Sequence, residues 1–168
     1  MNDSRDEPSA RPPEFPQPSP SFLVSQVGAH AAARFTEALA ERGLEPTQVG
    51  ILRILCARAP MNQRALSDLV GILPSQLVAL LDTLEARGLV VRERDPDDRR
   101  ANALYATEAG RAEMRAVEAL TEVLDSSLFA GFSPDERSIL VTLLERIVSA
   151  EGLHPAVHPA YRRLAVEP

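Results

Sequence analysis

The chain has 168 residues, 45% of them apolar, enough for one domain with tails to spare. Aromatic residues are scarce at 4% and tryptophan is absent, which excludes sugar-stacking platforms and aromatic single-strand binders; the single cysteine, Cys56, excludes a disulfide framework. All 18 basic residues are arginine against 24 acids, a net −6 that argues against nucleic acid, yet residues 46–111 hold nine arginines and eight acids between two acidic flanks.

Residues 1–20 contain six prolines among Ser, Asp and Glu, a composition that cannot offset its own ordering entropy, so they read as a disordered arm. From Ser21 to about Arg42, Leu23, Val27, Ala31, Phe35 and Leu39 recur at helical spacing, and Gly43 suits a C-cap. A second helix starts near Pro46 and is stopped by Pro60. Asn62 can cap a short third helix that turns Leu66, Leu69 and Val70 inward. Gly71 breaks it, and Pro74 opens a fourth that ends at Gly88. Residues 89–93 and 102–106 read as two short strands joined by a polar turn containing Pro96. Thr107 can cap a long helix carrying Met114, Val117, Leu120, Leu124 and Leu128 on one stripe. Ser133-Pro134-Asp135-Glu136 is a capping box for a last helix that ends at Gly152. Residues 152–168 form a tail, and no apolar run approaches the roughly 20 residues of a membrane helix. With no secretory segment at the start, the cytoplasm is the expected compartment.

The expected fold class is mainly α with a small β-hairpin wing. Two helices across a tight glycine break, followed by a hairpin, describe a winged helix-turn-helix over 46–106. The stretch LEARGLVVRERDPDDRRANALYATEAG at 84–110 closely resembles the signature of the multiple-antibiotic-resistance regulator (MarR) family. Leu84, Glu85, Gly88, Leu89, Val90, Arg92, Asp98, Arg99, Arg100, Thr107 and Gly110 all match, and the helix order agrees from about Ser21 to Glu151. The resemblance implies a homodimeric transcription regulator, with dimerisation helices at 21–45 and 107–151. It also implies release of DNA by a small aromatic or phenolic ligand held between those helices and the DNA-binding lobe.

In such a fold the fourth helix reads the major groove. Projected at ~100° per residue, Leu77, Leu80, Leu81 and Leu84 face inward, leaving Ser75, Gln76, Val78, Ala79 and Thr83 for DNA. No arginine stands there, so base discrimination is weak and A/T-weighted: Gln76 for adenine, Val78 for a thymine methyl. The hairpin supplies Arg92, Arg94, Arg99 and Arg100, suited to a narrow electronegative minor groove, with Asp98 bracing the wing because phosphate repels a carboxylate. Gln63 and Arg64, opening the third helix, are candidate phosphate contacts.

His30, Arg34, Arg53 and Arg115 are candidate ligand-pocket residues. Cys56 reads as a packed, unreactive thiol in the second helix. His154 and His158 lie beside prolines and lack further ligands, so no metal site and no cofactor are expected. There is no phosphate loop and no nucleophile paired with a base, so an enzyme is not expected. The partners implied are double-stranded DNA, a second copy of the chain and a small-molecule effector, without a membrane. The sparse reading face and the net −6 leave an alternative: a dimeric regulator with weak or no DNA binding that acts through a protein partner.

Overall fold

A computed structural model describes residues 17–58, 60–94 and 102–153. Six helices and three strands follow one another: α1 (Pro20–Ala40), α2 (Pro46–Ala57), β1 (Met61–Asn62), α3 (Gln63–Val70), α4 (Pro74–Ala86), β2 (Val90–Arg94), β3 (Asn102–Ala106), α5 (Glu108–Leu128) and α6 (Pro134–Ala150).

Local chemistry explains where the helices start. The side chains of Ser19, Asn62, Thr107 and Ser133 each accept a hydrogen bond from a first-turn amide of the helix that follows. Ahead of α2, the Glu45 amide donates to Gln48 Oε1 at 3.0 Å. Between α3 and α4 the chain turns by 110°. Gly71 makes that turn at φ 74°, a left-handed conformation that favours glycine. The buried Ser67 hydroxyl donates to the Ile72 carbonyl at 2.7 Å and ties the turn to α3.

The expected hairpin is present, β2 pairing antiparallel with β3 from Val90↔Ala106 to Arg94↔Asn102. It is part of a three-stranded sheet of order β1-β3-β2, because Met61 and Asn62 pair with Leu104 and Ala103. A two-residue strand carries no periodicity, so the sequence showed Asn62 only as a cap.

One core joins these elements. Leu52 and Leu55 of α2, Leu66 and Val70 of α3, and Leu77, Leu81 and Leu84 of α4 are buried. Val90, Leu104, Met114 and Val117 close it from the sheet and α5. The stripe on α1 behaves differently: Leu39 is buried and Phe35 packs against the core, but Leu23 and Val27 are 43% and 47% exposed. No residue of α6 is buried. Among the described residues no single helix is long and apolar enough to cross a membrane.

Candidate nucleic-acid interface

α4 turns Leu77, Leu81 and Leu84 into the core and leaves Ser75, Val78, Ala79, Asp82 and Thr83 on its exposed face. The Thr83 hydroxyl donates to the Ala79 carbonyl at 3.0 Å, leaving its oxygen free to accept. Gln76 departs from the expected geometry. It is half-buried, and its side-chain oxygen is closed off from solvent beside a small cavity bordered by Thr47, Ile72, Ala79 and Leu80. Pairing with adenine takes both ends of the amide, so Gln76 must first swing outward.

Arg92, expected to contact DNA from the wing, bolts β2 to α4. One guanidinium nitrogen donates to Glu85 and the other to Asp82 Oδ1 at 2.6 Å, while the Arg92 amide donates to Glu85 at 3.3 Å. A guanidinium fork fits two carboxylates at fixed angles, and these two sit one helical turn apart on α4. The pairing offsets one of the two negative charges that Asp82 and Glu85 bring to this face. Arg94, at the end of β2, is exposed. Asp98, Arg99 and Arg100 lie outside the described residues. Arg87, just ahead of the hairpin, donates to the carbonyls of Gly43 at 2.6 Å and Arg42 at 3.1 Å, pinning the end of α4 to the end of α1. Gln63 and Arg64 occupy the first turn of α3, half-buried and exposed respectively.

The Thr107–Gly110 pair explains its motif. Thr107 accepts from the Gly110 amide at 3.0 Å and donates to the Gly88 carbonyl at 2.7 Å. A Cβ on Gly110 would stand 2.1 Å from the Leu89 carbonyl oxygen, so only glycine lets α5 start against the backbone that leads from α4 into β2.

A mostly apolar cleft of about 680 Å³ opens between α1, the start of α2 and α5. Of the four expected pocket residues it takes only Arg34, whose guanidinium donates to the Ser127 hydroxyl at 3.2 Å. His30 and Arg53 are exposed and outside the lining, and Arg115 pairs with Glu108 at 3.1 Å. Helical spacing put His30 and Arg34 one turn apart but could not say which of them α5 faces. Phe35, Thr47, Leu124 and Leu128 also line the cleft. The unbroken stripe on α5 was the signal for the last two, since it outruns the core. Cys56 is half-buried, and burial pushes its thiol pKa up.

Residues 42–101 match the family model described as MarR family. The putative transcriptional regulatory protein for the hcr operon of Thauera aromatica is 30% identical over 114 residues, 68% of this chain and 69% of that protein. CouR of Rhodococcus jostii, solved with p-coumaroyl-CoA, superposes with a TM-score of 0.63 at 34% identity, covering 77% of this chain and 90% of that one. CouR bound to a 23-mer DNA duplex, named there as a repressor, gives 0.66 at 31% identity over 77% of this chain and 92% of that one. These relatives are regulators and not enzymes. With a winged helix-turn-helix built as described and a relative this similar over two thirds of its length, the chain belongs to the MarR family of transcriptional regulators.

Proposed function

We propose that the protein is a homodimeric repressor that binds a pseudo-palindromic operator and releases it when a small aromatic ligand occupies the α1/α2/α5 cleft. The observation that carries the DNA-binding part is the Arg92 bolt: α4 and the wing move as one body, so major- and minor-groove contacts are made together. Ser75, Val78, Ala79 and Thr83, with Gln76 swung outward, meet the base edges. Arg94, Arg99 and Arg100 meet the backbone and minor groove, Asp98 braces the wing tip, and Gln63 and Arg64 hold phosphates. Such a protein works in the cytoplasm, where the DNA is.

Dimerisation is assigned to segments 21–45 and 107–151. Most helical stability in proteins comes from packing an apolar face and not from intrinsic propensity. α6 has 17 residues and none buried, while Ile139, Val141 and Ile147 are 48–60% exposed. Phe22, Val24 and Val27 of α1 are exposed to a similar degree. A second copy of the chain covers these faces and, by the two-fold relation, presents two α4 helices ~34–36 Å apart, one duplex turn.

For the ligand, apolar walls with Arg34 as the one cation among the described lining residues suit a ring-bearing molecule with one anionic or carbonyl end. The test is sedimentation with duplex from upstream of the protein's own gene. Two protomers per duplex, dissociated by p-coumaroyl-CoA or by a free aromatic acid from a panel, support the proposal. A complex that no such ligand disturbs contradicts the release mechanism. The cation-free face of α4 favours a second reading, a regulator acting through a protein partner. It requires equally feeble DNA binding with and without the wing arginines.

A further inference from the structure

Two cavities meet at one residue. Thr47, second residue of α2 and 2% exposed, lines the large cleft on one side. On the other it borders the smaller cavity of about 230 Å³ under α4, with Ile72, Gln76, Ala79 and Leu80. The wall between the cleft and the DNA-reading helix is therefore one side chain thick at this point. Three of the four residues across it belong to the first two turns of α4, and Gln76 and Ala79 are among its reading residues.

We propose that Thr47 is the positioning residue through which an occupant of the cleft moves the first turns of α4. The proposal rests on the effector reading above and adds the route. A β-branched side chain is stiff about χ1, and a close-packed interior transmits displacement rather than absorbing it. Pressure from the cleft side moves Thr47 into the small cavity, against its far walls Ile72, Gln76, Ala79 and Leu80. Gln76 then loses the recess that holds its side-chain oxygen, and the start of α4 tilts about the turn anchored by Ser67 and Ile72. The opposite flow holds too, because coupling is reciprocal: DNA that draws Gln76 outward changes the affinity of the cleft.

The test fills the cleft covalently and so needs no identified ligand. Ala32 is exposed and lines the cleft; Ala32→Cys on a Cys56→Ala background is alkylated with N-phenylmaleimide. Hydrogen exchange over residues 72–80 and affinity for a duplex selected from random sequence by the unlabelled protein are measured before and after. With Thr47 present, labelling raises exchange there and weakens DNA binding by about 5–150-fold, the usual range of allosteric coupling. In Thr47→Ala both responses fall below about twofold, and Thr47→Val, which keeps the bulk, restores them. Gln76→Ala, on the tolerant half-buried side, likewise uncouples the label from α4 whatever its own effect on affinity. If Thr47→Ala or Gln76→Ala responds to the label as fully as the parent, or Thr47→Val fails to restore the response, the route through Thr47 is overturned while the effector reading stands. If labelling the Thr47 parent changes neither DNA affinity nor exchange, the effector reading and the proposal fail together.

Discussion

Arginines that look alike in the sequence do different work here. Arg92 and Arg94 are two apart on β2, but Arg92 is 21% exposed between two carboxylates and Arg94 points into solvent. Removing Arg94 lowers DNA affinity and reduces the slope of log K against log salt by roughly 0.9, one phosphate contact's worth. Arg92→Ala also lowers affinity, by loosening the wing, but leaves the slope unchanged because its charge is already matched; it costs about 1 kcal/mol in urea unfolding, since Asp82 and Glu85 are substantially exposed. Arg92→Lys does not rescue it, because an ammonium lacks the fork. Equal slope losses for the two variants refute this division. Cys56 makes a second prediction. Burial raises its pKa, so little thiolate forms at neutral pH and alkylation is slow in the folded protein. Labelling as fast as in urea contradicts it. Arg92 was legible as a wing residue from its position in the motif, but its carboxylate partners within the fold were not. They lie seven and ten residues back on another element, and only the fold brings them within reach.

At the scale of elements, caps and breaks were legible because they are local: Asn62, Thr107 and Ser133 start the helices they were expected to start. β1 was not, because its identity lies in its pairing with β3, some forty residues on. The cleft was only partly legible: Arg34 lines it, while His30, Arg53 and Arg115 lie outside its lining, since a helix's own periodicity does not reveal which neighbour it packs on. The junction of α4, β2 and α5 depends on Gly110, where an added Cβ collides with backbone and not with a flexible tip. Gly110→Ala is expected to lower unfolding free energy by about 3 kcal/mol, at or above the usual range for overpacking, read as a shift of the urea midpoint. A midpoint unchanged from the parent contradicts the close approach. On α6, charges at Ile139 and Ile147 test its role. The double Glu variant sediments as a monomer and loses helical ellipticity, while the winged-helix core keeps its near-parental unfolding midpoint. A variant that stays dimeric places the interface elsewhere.

For the whole molecule, a net charge of −6 and a DNA-binding function are compatible because charge acts locally, within about a Debye length of 10 Å at 0.1 M salt. The terminal segments carry the net negative charge while residues 46–111 are close to balance, and within them Asp82 and Glu85 of α4 are held by Arg92. α4 carries no arginine, and between Arg92 and Arg100 arginines and acids are equal in number, an arrangement that favours backbone and groove-shape contacts over base readout. The most direct test is a salt titration of binding to DNA flanking the protein's own gene, comparing the natural chain with an Arg99→Ala/Arg100→Ala variant. Tight binding that weakens steeply with salt, and a variant with lower affinity and a slope shallower by about 2, are the predicted result. Equal, feeble binding by both chains at low salt would contradict operator binding through the wing and point to a protein partner instead.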